Sequence, residues 1–72
     1  MQQQLIGVVR LSERQKVEVE ICVVRGEVCL GLRYYIELDD GTWLPVAKGF
    51  SVSAARAREL RRLIGKACQQ LT

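Results

Sequence analysis

Along residues 16–24 apolar and polar positions alternate: Val17, Val19, Ile21 and Val23 fall on one face, and Lys16, Glu18, Glu20 and Cys22 on the other. Successive side chains of an extended chain point to opposite sides, so a period of two marks a strand with one buried face. The same period runs from Glu27 to Leu38, where Val28, Leu30, Leu32, Tyr34, Ile36 and Leu38 alternate with Glu27, Cys29, Gly31, Arg33, Tyr35 and Glu37. Only Arg25 and Gly26 separate the runs, and Gly26 can take the positive φ that a two-residue hairpin turn of the primed type requires. Such a loop sets Val24 opposite Glu27, Val23 opposite Val28, Ile21 opposite Leu30, Val19 opposite Leu32 and Val17 opposite Tyr34. On the other face it sets Lys16 against Tyr35, Cys22 against Cys29, and Glu18 against Arg33 as a cross-strand ion pair. A slip of one residue moves the whole apolar set to the wrong face, so pattern and turn specify the same register.

Asp39-Asp40-Gly41 is the next turn signal, and Thr42 to Val52 then reads as a further strand interrupted by Pro45. Proline has no N–H for the ladder, which confines this strand to a sheet edge or marks a bulge. Leu5 to Leu11 has strand-like composition with poor alternation and is a candidate additional strand, set off by the polar Ser12 to Gln15 turn. Ser53 is placed to cap a helix, since its hydroxyl can accept from the free N–H groups of a first turn that begins Ala54-Ala55. Along that helix Ala57, Leu60, Ile64, Ala67 and Leu71 recur at spacings of three and four, a narrow apolar stripe that Leu63 and Cys68 widen and that could pack on the sheet or run along a partner helix. Gly65 lies within it, where a bend or a close helix crossing would suit a residue without a side chain. The expected fold class is α+β: a four-stranded antiparallel sheet, with residues 5–11 as an extra N-terminal strand, followed by one C-terminal helix, in a single domain over residues 1–72.

A domain of 72 residues buries only about 60% of its unfolded surface and needs outside stabilisation. Cys22, Cys29 and Cys68 are an odd number without C-x-x-C spacing, and histidine is absent from the sequence, which argues against a zinc site within one subunit and a secreted disulfide framework. Directly opposed strand cysteines make a strained bridge, so Cys22 and Cys29 are expected as reduced thiols. Met1 leads into Gln2, Gln3 and Gln4 rather than a basic, then apolar, leader, and no apolar run approaches the about 18 residues of a membrane span. These features point to a reducing compartment, without membrane, cofactor or metal. Dimerisation is left as the stabiliser, with the stripe of Ala57, Leu60, Ile64, Ala67 and Leu71 as its interface.

Catalysis is not expected. The chain has no histidine and no glycine-rich phosphate loop, Ser51 and Ser53 have no base nearby, and the strand cysteines have no group to activate them. Binding remains, and here charge matters. The net +3 is uneven: residues 54–72 hold Arg56, Arg58, Arg61, Arg62 and Lys66 against Glu59 alone, whereas residues 1–53 hold six basic and seven acidic groups. A local excess of this kind suits a polyanion, or equally the solvated face of a helix, since arginine is a good helix former. The sheet face carrying Arg33 and Tyr35, with Lys16 opposite, also has the composition of a single-strand platform, where aromatics stack on bases and cations neutralise phosphates.

The run V-R-G-E-V-C-L-G-L-R-Y-Y-I-E-L-D-D-G-T-W-L-P-V-A-K-G-F-S-V, residues 24–52, resembles the core of the positive-cofactor-four type transcriptional coactivators, a family of single-stranded-DNA-binding C-terminal domains. Its marks are the hairpin glycine (Gly26), the Arg and Tyr of the next strand (Arg33 and Tyr35), a turn glycine (Gly41), a proline (Pro45), and Lys48-Gly49 before an alternating run and a helix. With that helix the resemblance covers residues 16–68. It implies a homodimer joined largely through the helices, binding single-stranded or melted DNA with little sequence preference, close to transcription, replication or repair; RNA is a further candidate partner. It places backbone contacts on Arg25 and Lys48, with Arg33 in the shared Arg-Tyr mark and Lys16 one place from another. The sequence departs where the family commonly offers stacking aromatics, here Val24 and Ile36, and where it often has further cations, here Glu27, Leu44 and Ala47.

The expected function is that of a non-enzymatic, homodimeric single-stranded-DNA-binding coactivator or regulator that meets the transcription machinery. It would lie in the cytoplasm with the nucleoid in a bacterium, or in the nucleus of a eukaryote. Lys16, Arg25, Arg33 and Lys48 would take phosphates, and Tyr35 and Trp43 would stack on bases. Two rivals follow from the same residues: a dimeric protein-interaction module that has lost nucleic-acid binding, and a duplex binder working through Arg58 and Arg62 of the helix.

Overall fold

A computed structural model describes residues 3–46 and 49–71. In chain order these form β1 (Gln3–Ser12), β2 (Gln15–Val24), β3 (Glu27–Glu37), β4 (Trp43–Pro45), β5 (Phe50–Ser53) and α1 (Ala54–Cys68). The strands make one antiparallel sheet in the order β1-β2-β3-β4, with β5 also paired to β3. α1 is not long and apolar enough to cross a membrane.

The central hairpin has the register that alternation requires, from Val24 opposite Glu27 to Lys16 opposite Tyr35. Its turn has φ of 52° at Arg25 and 82° at Gly26, so both loop residues are left-handed, as a type I′ turn demands. Arginine is strained there by the contact between its Cβ and the following carbonyl, at a cost of about 1–2 kcal/mol. Arg25→Asn, which makes the favoured Asn-Gly pair, is therefore expected to stabilise the fold by about 1 kcal/mol, raising the melting temperature by about 4–8 °C at fixed protein concentration. A melt that does not move would show that the turn is not strained.

β1 runs longer than the expected strand of residues 5–11, and its pairing with β2 explains the lost alternation. The register shifts between Leu5 and Gly7, leaving Ile6 as an extra residue, and again between Arg10 and Ser12. A bulge reverses the faces of everything beyond it, so no single period of two runs through the strand. The expected strand over 42–52 is likewise two strands. β4 and β5 lie along the same edge of β3, but β5 sits two residues further along than an unbroken strand would. The break follows Pro45, which cannot donate to the ladder. Gly49 abuts β3 so closely that a Cβ there would collide with the Leu32 carbonyl oxygen.

Between β3 and β4, Gly41 takes a φ of 86°. The Thr42 N–H donates to the Asp40 carboxylate at 2.9 Å, which holds that carboxyl below its ordinary range. Ser53 caps α1 as its position implies, accepting from the Arg56 N–H. Gly65 has open space where its Cβ would lie, so no close crossing occurs there within the chain.

Alternation separates two faces but does not say which way a sheet curls. The buried positions are Glu20, Cys22, Cys29 and Gly31, all on the polar face. Small residues occupy its middle, Cys22 opposite Cys29 and Gly31 opposite Ser51, beside a hollow of about 280 Å³. The cysteines are free thiols, Cys22 donating weakly to the Cys29 carbonyl. The apolar face stays open, with Val28 63% and Phe50 56% exposed. α1 packs chiefly on β3 and β5. Its half-buried residues are Ala57 and Leu60, whereas Leu63, Ile64 and Leu71 project into solvent.

Among the described residues no side chain is fully buried. The accessible surface is 5948 Å², against about 4500 Å² for a folded monomer of 8.1 kDa. The radius of gyration is 13.8 Å, against about 11 Å for a compact chain of this length. The single chain thus leaves about 1400 Å² more surface in water than folded monomers of its mass do.

Candidate nucleic-acid interface

Lys16 is the centre of a cation and aromatic cluster at one end of the hollow face. β2 sets it opposite Tyr35 of β3, and β4 brings Trp43 alongside by pairing it with Glu37. The Lys16 ammonium lies 4.4 Å from the Trp43 ring centroid and 5.3 Å from that of Tyr35. Arg10, carried in by β1 opposite Lys16, places its guanidinium 5.4 Å from the same indole. Ring quadrupoles attract cations at such distances by about 0.5–2 kcal/mol, so the cluster holds itself together. Behind it, on the apolar face, Gln15 donates to the Tyr34 hydroxyl at 2.6 Å and fixes the start of β2 on β3.

The cations are also paired. The Lys16 ammonium is 3.1 Å from the Glu18 carboxylate, and Arg33 Nε donates to Glu20 Oε1 at 2.5 Å. The register expected from the sequence is present, but the ion pair expected between Glu18 and Arg33 is not the one formed. Glu20 stands opposite Gly31, and a Cβ on that glycine would lie 3.0 Å from the Glu20 Cγ. The missing side chain lets the carboxylate lie flat across β3 and reach Arg33 on the diagonal, leaving Glu18 to Lys16. That hydrogen bond raises the Arg33 pKa further, so Arg33 is cationic at every accessible pH. Glu27 and Glu37 also lie on this face, so Arg10, Lys16 and Arg33 share it with four carboxylates, and the face is slightly acidic rather than cationic.

Of the six contact residues read from the sequence, Lys16, Tyr35 and Trp43 come together and Arg33 lies farther along the same face. Arg25 is at the tip of the β2–β3 hairpin, nine residues along from Lys16, about 30 Å at strand rise, and belongs to no shared cluster. Lys48 falls outside the described residues. The stripe proposed for dimerisation is split: Ala57 and Leu60 turn inward, while Ile64, Ala67 and Leu71 are exposed. Arg10 was not read from the sequence. Only the bulged register of β1 puts it beside Trp43, and the hydrophobic pattern carries no sign of that register.

Comparison of the chain with protein-family models, with curated proteins and with solved structures found no match.

Proposed function

We propose that this chain is a non-enzymatic, homodimeric protein that binds single-stranded nucleic acid along the hollow face of its sheet. The supporting observation is the meeting of Arg10, Lys16, Tyr35 and Trp43 at one end of that face, which offers phosphates a cation and bases a stacking surface within a few ångströms. Arg33 continues the track toward the hollow, after exchanging Glu20 for a phosphate. The resemblance of residues 24–52 to the positive-cofactor-four type coactivators supports the same ligand and a role on melted DNA in transcription.

The homodimer is the companion proposal. If each subunit covers its excess of about 1400 Å², the pair buries about 2800 Å², within the range of obligate homodimers. The open apolar face and the exposed half of the helical stripe are the surfaces available for it.

The test is a fluorescence anisotropy titration with a labelled single-stranded oligonucleotide at low and high salt. Three phosphate contacts, from Arg10, Lys16 and Arg33, give a log–log salt slope of about −2, and Lys16→Ala is expected to make it shallower by about 0.7. Absence of binding by the parent protein at low salt overturns the reading. One observation favours the rival protein-interaction module: Glu18 and Glu20 already neutralise the two best-placed cations. A preparation free of nucleic acid that retains a specific protein partner would favour that rival.

A further inference from the structure

The largest unneutralised charge in the molecule lies away from the sheet, on α1. Arg58, Arg62 and Lys66 follow one another at intervals of four residues and form a single row along the helix, with Arg61 beside it. All four are exposed, and none has an acidic partner among the described residues, since Glu59 pairs with Arg56 at 3.2 Å. At 3.6 residues per turn the row lies opposite Leu60 and Ile64, so it faces outward even when the apolar side of α1 is covered. Like charges four apart destabilise a helix. Lys66 in the last turn complements the helix dipole, but the crowding of like charges along the row is offset best by an anionic ligand.

The shape fits a phosphodiester backbone. The row spans eight residues, about 12 Å of helix. It borders a shallow trough of about 590 Å³ lined by these four side chains, Gly65 and Gln69. Gly65 has nothing within 4 Å of the place of its Cβ, so an anion can come against the helix itself. Duplex DNA carries one charge per about 1.7 Å of axis, about twice the density of one strand, so the duplex draws a cationic row more strongly. α1 also has no aromatic residue, so it lacks the stacking surface a single strand would use. We propose that the outward face of α1 is a second nucleic-acid site, which takes the backbone of a duplex through Arg58, Arg61, Arg62 and Lys66. With the sheet holding a single strand, one molecule would then grip both sides of a junction where a duplex opens. The duplex site itself does not depend on the sheet reading.

The experiment compares the full chain with Arg58→Ala/Arg62→Ala/Lys66→Ala. These positions are exposed, and alanine is a strong helix former, so the fold is retained; a circular dichroism melt checks this. Each is titrated against a labelled blunt-ended duplex, a labelled single strand, and vesicles of anionic phospholipid. The parent is expected to bind the duplex at low salt. The triple variant is expected to bind it at least about tenfold more weakly, with a salt slope shallower by about 2.7, while single-strand binding changes little. Substituting lysine at Arg58 and Arg62 is expected to retain most duplex binding. The inference falls if the parent ignores the duplex, if the triple variant binds it equally well, if duplex and single-strand affinities drop in parallel, or if only the vesicles bind through these residues. Loss of single-strand binding by the parent, with helix-dependent duplex binding intact, would remove the sheet reading and leave this one standing.

Discussion

Light scattering on the purified chain is expected to return twice 8.1 kDa, and Ile64→Asp is expected to abolish that dimer and with it cooperative folding. Ile64 is 52% exposed on the apolar stripe of α1, opposite the arginine row. Within one chain it makes little contact, so an aspartate there would change the stability of a true monomer by no more than about 0.5 kcal/mol. In a dimer joined through this stripe the same carboxylate is buried without a partner, at a cost of about 3–5 kcal/mol, a large part of the about 5–15 kcal/mol that holds a small domain together. The chain has little to fall back on, since among the described residues the only buried apolar side chains are Cys22 and Cys29. The melting temperature of the parent should rise with protein concentration, as mass action requires when folding and association are coupled. A monomeric mass with a concentration-independent melt, or a variant that melts like its parent, would rule the dimer out.

How much the sequence discloses depends on whether a feature is set by nearest neighbours. The register of the β2–β3 hairpin was legible, because one face had to be apolar and the loop was two residues long; every expected Cα pairing is present, though not the expected ion pair. The meeting of Lys16 and Tyr35 follows from that register alone. β1 was legible only as a stretch of strand-like composition, because the bulge at Ile6 breaks the period from which a register could be read. Arg10 therefore could not be placed. Pro45 announced an irregular edge strand, but not that the chain would leave β3 and return two residues later. The pairing of Glu20 with Arg33 needed a diagonal path cleared by Gly31, which a rule of directly opposed pairs does not contain. The burial of the polar face was hidden for a related reason: it depends on small residues meeting across three strands, a property of the sheet rather than of any one strand.

Those unforeseen ion pairs govern the second large effect. Lys16 and Arg33 reach a bound strand only by exchanging carboxylate for phosphate, so Glu18 and Glu20 act as competitors within the site. Glu18→Gln with Glu20→Gln keeps the side chains' size and a hydrogen-bond acceptor for Arg33 while removing both charges. Each freed cation then makes a charge-assisted bond to phosphate of about 1.5 kcal/mol without displacing a partner. Single-strand affinity at low salt is expected to rise about tenfold per cation, about a hundredfold for the pair, while the salt slope stays near about −2, because the same three cations meet phosphate in both proteins. The melt should move little, since Lys16 stays on the rings of Trp43 and Tyr35 and the Arg33 side chain is 46% exposed. The result separates the readings of the hollow face. A competitor removed from a phosphate site strengthens binding, whereas a carboxylate pair that belongs to a protein-docking surface leaves the oligonucleotide titration unchanged and weakens the protein partner instead.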